Sequence, residues 1–541
     1  MKLVMKILKK HNKDNIRSFN ADEKHLPELL DYIKESFSFK ILNRHIIYEY
    51  QLLIEEVAVK LIKNAAKDSL ITVEASPSPD EINLKLTCPG KRVNLYKEDA
   101  DDIGGTLIED YSDYLKQSFS SGTNRIVFSA SSASAGLLMK SISAFVASAV
   151  IAFILRLVLK DEQVEFISNE IITPIIYVFL GIFKAVASPM VFFSIASMIN
   201  KLSLKFEKNK SIISSIIRYL ITATVSAIIG FAIIGVANHF DEIGDYTMYI
   251  VDENRLSDIT VSSFISQFIF ESIIDPIEAS NPIPMLVLAV ILGIASSSIY
   301  GRNGDAIRNG VSAFKALFRK MFDIVYSTIP LFLTFTMIAY WAEDPIMTIL
   351  SLLDAFVVFI PGAVLLILVY AIELLIHHIN PISFVKEYKE ILINNLKIGS
   401  DIEAYPYNKR AFSKKFKNRE EVKELLQLGE TVSMDGCVMV SAAYALYLVY
   451  SVHLDPTPGI IISLLWIILM SSIGSPSEPG SLILTGIVVM NYLGLSDAVV
   501  FGLIIYEVIL GVFYSYMNNV SDIVNIVCKN TKAKKKNLLN I

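Results

Sequence analysis

The chain has 541 residues, of which 53% are hydrophobic and only 19% charged, and its mean hydropathy is +0.49. An ordinary soluble domain carries about 25% charged residues, so a wholly soluble protein is excluded and a polytopic membrane protein is expected. The net charge of −5 argues against nucleic acid as a partner, and Cys88, Cys437 and Cys528 lie too far apart for a zinc site or a disulfide framework.

The apolar residues concentrate after Ser131, which sets residues 1–130 apart as a soluble domain. Lys2, Lys6, Lys9 and Lys10 flank a stretch too short for the core of a cleavable signal. Residues 46–66 have helical apolar spacing, 70–75 and 82–87 alternate like paired strands, 103–115 read as helix, and 125–129 read as a strand. The sum is an α/β sandwich.

Apolar runs of spanning length follow at 138–160, 171–200, 211–237, 262–300, 321–342 and 345–379, the fourth and sixth long enough to be tilted or broken. The loop with Lys201, Lys205, Lys208 and Lys210 and the basic tail at 531–541 are expected in the cytoplasm by the positive-inside bias. The acidic loop 241–258 then falls outside. Residues 382–416 are too polar to span and read as a hairpin dipping in from the cytoplasmic side, with a cytoplasmic helical loop as the alternative. The polar tip at 472–481 is its counterpart from the outside, and together they suggest an inverted repeat. Two further segments, 425–452 and 498–527, carry Asp435 and then Asn518, Asn519 and Asp522 inside apolar runs, and both read as interrupted helices. An ionised carboxylate in a membrane usually faces a partner, a cavity or an ion path. Buried carboxylates beside a broken tip are the layout of an ion-coupled transport site.

Ser433-Met434-Asp435-Gly436-Cys437, the tip at 472–481, and Asn518 to Asp522 fall in the order and spacing of the dicarboxylate/amino acid:cation symporter family, which has the glutamate-transporter fold. Ser188-Pro189-Met190 and the run 216–230 look like that family's second and third helices, so the resemblance covers about residues 137–530. It implies eight transmembrane helices plus two re-entrant helical hairpins. Helices one to six (137–379) would be mainly scaffold and 380–530 the transport core. It also implies a homotrimer in the inner (plasma) membrane, with lipid around it and both termini in the cytoplasm. By that resemblance sodium is the coupling ion. Asp522 and Asn518 would hold one ion, Asp435 would join Tyr219 and Thr222 at another, and Ser433, standing where the family has asparagine, would line a cation site. Ser400, Met434, Cys437, Pro479, Gly480, Gly511, Tyr514, Ser515 and Asn518 would face the solute.

The front domain resembles the histidine-kinase-like ATPase fold, in particular anti-sigma-factor kinases, at Glu55 to Ala65, Gly104 to Ile108 and Gly122 to Arg125. Lys60 stands where that family has a magnesium-binding asparagine, and Leu86-Thr87-Cys88-Pro89-Gly90 lacks the adenine-reading aspartate. A degenerate domain is therefore expected, with no enzyme activity and a cytoplasmic regulatory partner. Lys60 could still meet a phosphate.

Tyr514 replaces the family's carboxylate-binding arginine and Gly511 its amine-binding aspartate, which disfavours glutamate and aspartate as solutes. New acids stand at Asp401, Glu403, Glu478 and Glu507. The first three are expected either in water at the tips or against a polar solute, and Glu507, in an apolar run, is a candidate proton carrier. The expected function is symport of a small polar organic solute, of amino acid or carboxylate class, with sodium or protons by an elevator movement. The alternative is a transporter-derived sensor signalling through its front domain.

Overall fold

The computed structural model describes residues 16–22, 24–37, 44–77, 81–95, 108, 115–131, 133–206, 210–236, 261–266, 268, 282–343, 345–416, 419–451, 455–474, 480–493 and 500–539. The chain divides into two compact units, Met1–Met139 and Lys140–Ile541.

The first unit is an antiparallel sheet with helices on one face. Its strands are β1 (Ile16–Asn20), β2 (Leu70–Pro77), β3 (Glu81–Pro89), β4 (Leu115–Ser120) and β5 (Thr123–Ser131), in the order β1-β2-β3-β5-β4. Alternation fixes the register: Val73 lies opposite Leu86, and Leu86 opposite Ile126. All three are fully buried, because side chains two apart share a face. Helix α1 (Leu26–Phe37) and helix α2 (Arg44–Lys63) cover that face. The buried residues of α2, Tyr50, Leu53, Ile54, Val57, Ala58 and Leu61, repeat at the three-to-four spacing of a helical stripe. Burial pushes the Cys88 thiol of β3 up from its ordinary pKa. Of the helix expected at 103–115, most lies outside the described residues, and Leu115 opens a strand instead, pairing with Phe128.

The second unit is helical. It runs through α3 (Ala133–Val158), α4 (Asp161–Ile167), a π-helical turn (Ser168–Ile172), α5 (Thr173–Phe206) and α6 (Lys210–Val236), matching the first three expected spans. Of the run expected at 262–300, the described residues form α7 (Val261–Ser266) and α8 (Pro282–Ser298), and 267 and 269–281 lie outside the described residues. The span expected at 321–342 is bent. It joins the end of α9 (Gly301–Tyr326) to α10 (Ile329–Glu343) across a 42° bend. Helix α11 (Pro345–Ile376) completes the first part. Val146, Val150, Phe153 and Leu157 of α3 and Val364, Ile367, Leu368 and Leu375 of α11 are exposed. Rows of exposed apolar side chains on long helices suit lipid and not water.

Two helical hairpins follow. Asn380 caps α12 (Pro381–Ile398) by accepting from the N–H groups of Ile382 (2.9 Å) and Ser383 (3.3 Å). Gly399, at φ +67°, stops it in the left-handed conformation that a side chain resists, and α13 (Asp401–Lys415) returns. Tyr388 and Phe412 stack 5.8 Å apart and hold the two arms together. Helix α14 (Arg419–Val432) then unwinds for two residues, Ser433 and Met434, before α15 (Asp435–Ser451). The second hairpin is α16 (Pro458–Gly474) and α17 (Ser481–Leu493), and its tip at 475–479, with Glu478 and Pro479, lies outside the described residues. The last helix, α18 (Val500–Leu539), is continuous. The interruption expected at Asn518 and Asn519 is absent, because both side chains find partners without freeing any backbone.

Helix α6 lies against α15 at backbone distance: a Cβ on Gly230 would stand 2.3 Å from the Met439 carbonyl oxygen and 2.9 Å from the Ala443 nitrogen. Backbone cannot give way as a side-chain end can. Gly230→Val is therefore expected to destabilise the protein by about 1–3 kcal/mol, measured as a lowered melting temperature of the detergent-purified chain.

Candidate functional site

The polar side chains of the helical unit meet where the α14–α15 break, the first hairpin tip and the start of the second hairpin's return arm face α18. Glu507, Gly511, Tyr514, Ser515, Asn518 and Asp522 recur at three-to-four spacing and so share one side of that helix.

Asp435 is wholly buried and is the first residue of α15. Thr222 donates to its Oδ1 at 3.0 Å, and Tyr370 and Ser521 donate to its Oδ2 at 2.9 and 2.7 Å. Behind Ser521 stands Arg218, whose Nη1 donates to that hydroxyl at 2.6 Å while its Nε and Nη2 grip Glu373 at 3.0 and 2.7 Å. Tyr219, expected at Asp435, lies instead with Asn525, whose amide donates to its hydroxyl at 3.0 Å, and beside Asp522.

Asp522 is different. Ser433 and Tyr219 lie beside its carboxylate, yet Oδ1 is buried without a hydrogen-bond partner among the described residues. Room for it comes from Gly429 of α14, where a Cβ would stand 2.4 Å from the carboxyl carbon and both oxygens. The Ser433 hydroxyl donates to the Asn518 carbonyl at 3.3 Å, so that oxygen belongs to the same neighbourhood.

Asn518 ties three elements together. Its Oδ1 accepts from the Gly436 N–H at 2.9 Å, while its Nδ2 reaches Asp401 Oδ2 at 3.1 Å and Met434 Sδ at 3.6 Å. Asn519 donates to the other oxygen of Asp401 at 2.7 Å and accepts from Asn408 at 3.3 Å. Asp401 is thus not in water at the tip; it is 4% exposed, and two amides have replaced its solvent. The side chain of Glu403 lies outside the described residues. Ser400 is buried at the tip, and its carbonyl accepts from Ala404 at 3.0 Å in the first turn of α13.

Glu507 fastens the start of α17. Its Oε1 accepts from the Gly480 N–H and the Tyr514 hydroxyl, both at 2.6 Å, and its Oε2 from the Leu482 N–H at 3.2 Å. Ser481 donates to the Tyr514 oxygen at 3.2 Å and lies 3.3 Å from Cys437 Sγ. A Cβ on Gly511 would be 3.4 Å from Glu507 Oε1, so this acid covers the face that the glycine leaves bare. Ser515 is buried and its carbonyl accepts from Asn519 at 3.3 Å.

Sequence reasoning missed Arg218, Tyr370, Glu373, Ser521, Asn525 and Gly429. The first and third are charged residues inside apolar runs, a signal that averaging over the run conceals. Ser521 and Asn525 continue the polar stripe of α18 by one and two turns. In the front unit Lys60 Nζ donates to the Leu95 carbonyl at 3.1 Å, which turns it to its own backbone.

Buried carboxylates at helix breaks between two hairpins define a membrane transporter rather than an enzyme. Residues 137–531 match the sodium:dicarboxylate symporter family, and the chain belongs to it. An uncharacterized symporter of Haemophilus influenzae is 24% identical over 338 residues, 59% of this chain and 76% of the relative. A putative sodium-dependent excitatory amino acid transporter of Caenorhabditis elegans is 25% identical over 223 residues, 40% of this chain and 44% of the relative. The protein is accordingly a multi-pass membrane protein and a solute symporter.

Gly429→Ala places a methyl group where the Asp522 carboxylate lies. It is expected to match Asp522→Asn in raising, by roughly tenfold or more, the sodium concentration needed for half-maximal thermal stabilisation. An unshifted midpoint would show that the carboxylate does not depend on this space.

Proposed function

We propose that the chain moves a small polar organic solute across the membrane with sodium, closing the α16–α17 hairpin over the solute and carrying the hairpin-bearing core across in an elevator movement. The observation that carries the reading is the buried Oδ1 of Asp522, which has no hydrogen-bond partner among the described residues. An acceptor left unsatisfied in an apolar interior costs several kcal/mol, and a hard cation that prefers oxygen ligands removes that cost. Asp522, the Asn518 carbonyl and the Ser433 and Tyr219 hydroxyls offer oxygen there. Asp435 and Thr222 offer a second position, with Tyr370 and Ser521 supporting it.

The solute lies between Asn518, Met434, Cys437, Ser481 and Tyr514, with Ser400 at the first tip. Among the described residues facing this space no arginine fork is present to bind a carboxylate side chain. Glu507 is assigned the closing of the second hairpin. Its two backbone contacts form only when Gly480 and Leu482 are seated, and a proton exchanged there is the alternative coupling ion. The assembly is a homotrimer in the inner membrane with cytoplasmic termini, and the front unit meets a cytoplasmic regulatory partner.

Sodium, with potassium as the control for ionic strength, is expected to raise the melting temperature of the detergent-purified chain, since a ligand of the folded state stabilises it by mass action. Asp435→Asn and Asp522→Asn should each weaken that rise and the sodium-driven uptake of solute into vesicles together. Equal shifts in sodium and potassium would sink the sodium assignment. Glu507→Gln keeps the shape and removes the charge. Loss of charge-assisted bonds worth about 1.5–3 kcal/mol is expected to slow uptake roughly tenfold while leaving the sodium-only shift in place.

A further inference from the structure

We propose, on the basis of the symport reading above, that the transported solute is a small organic cation, its charge carried on an N–H-bearing amine or guanidine group that is received at Asp401. Among the described residues of the helical unit four carboxylates are buried, Asp401, Asp435, Glu507 and Asp522, against a single buried ammonium, Lys409. The nearby guanidinium, Arg218, is already held by Glu373 through Nε and Nη2. Sodium at Asp435 and Asp522 would compensate two of the four. Asp401 and Glu507 then remain, one at each end of the solute space, and Lys409 stands eight residues along α13 from Asp401, roughly 12 Å by helical rise.

The two acids bracket that space through a continuous set of contacts. Glu507 joins Tyr514, Tyr514 joins Ser481, and Ser481 touches Cys437; the adjacent Gly436 joins Asn518, which joins Asp401. The surroundings of Asp401 also hold buried amide atoms with no hydrogen-bond partner among the described residues. Asn408 Oδ1 is buried with no partner, although the other end of the same amide reaches Asn519. Asn395, one turn before the Gly399–Ser400 tip, is fully buried with neither end of its amide bonded. A group that brings N–H donors and a positive charge would meet both the excess of negative charge and the unpaired oxygens of Asn395 and Asn408. A dicarboxylate would add two negative charges to a space that already has an excess of them, which a medium of low polarity penalises steeply.

The test uses the full chain in detergent with saturating sodium, and measures melting temperature against putrescine, agmatine and L-lysine, with succinate, L-aspartate and L-serine as contrasts. At least one amine or guanidine probe is expected to stabilise the protein, and the acids are not. Asp401→Asn should raise the half-maximal concentration of that probe about tenfold or more and leave the shift produced by sodium alone unchanged, which also certifies that the variant is folded. Stabilisation by succinate, L-aspartate or L-serine in place of the cations overturns the proposal. So does the absence of any effect from the three cationic probes on wild type, or a cation effect that Asp401→Asn does not alter. The sodium-only shift separates the two readings: its absence defeats sodium symport, whereas its presence without a cation response defeats only the choice of solute.

Discussion

The helical unit depends on one constraint, that the four carboxylates buried among its described residues must be supplied with hydrogen-bond donors or positive charge in an apolar interior. Three of them lie at or against the start of a helix, although Asp435 takes its donors from the hydroxyls of Thr222, Tyr370 and Ser521 and Asp401 from the side-chain amides of Asn518 and Asn519. Asp435 is the first residue of α15, Asp401 the first of α13, and Glu507 takes the N–H groups of Gly480 and Leu482 where α17 begins. The first N–H groups of a helix have no partner within it, and the aligned peptide dipoles favour negative charge there. The breaks at Ser433–Met434 and Gly399–Ser400 therefore create the helix starts at which Asp435 and Asp401 stand.

Asp522 has no such end. It sits within the unbroken α18, two turns after Ser515, and meets hydroxyls on one side only. The two acids differ in their donors: Asp435 has three hydroxyls, whereas Oδ1 of Asp522 has no hydrogen-bond partner among the described residues. Gly429 is part of that difference, since it keeps a methyl group out of the space the carboxylate fills.

Much of this was legible in the sequence, and the exceptions have physical causes. Strands β2, β3 and β5 announced themselves by alternation because their inner faces are buried. Strands β1 and β4 lie at the edges of the sheet, with few buried side chains, and so left no period to read. Helix α9 mixes Arg302, Arg308, Lys315 and Arg319 with apolar residues, and a count of hydropathy over spanning length passes over such a pattern. The acids at 435, 507 and 522 stood out from their runs, whereas two of the three partners of Asp435 did not. Tyr370 and Ser521 are unremarkable in an apolar helix until the fold brings α11 and α18 to α15. Asp401 was misjudged in one of its two readings because a hairpin tip in water and a hairpin tip in protein have the same sequence.

The guanidinium of Arg218 has a mechanical side. It binds Glu373 of α11 and Ser521 of α18 from its place on α6, while Thr222 and Tyr370 fasten the same two early helices to Asp435 of α15. Ser215 adds a contact with Asn525, 3.4 Å away, and Gly230 lets α6 touch the α15 backbone. A sliding plane between α6 or α11 and the later helices would have to tear a buried ion pair and several buried hydrogen bonds at every cycle. The early and late parts of the chain are thus stitched into one rigid body at this seam, and any surface on which a moving core slides runs outside α6 and α11, not along the order of the sequence.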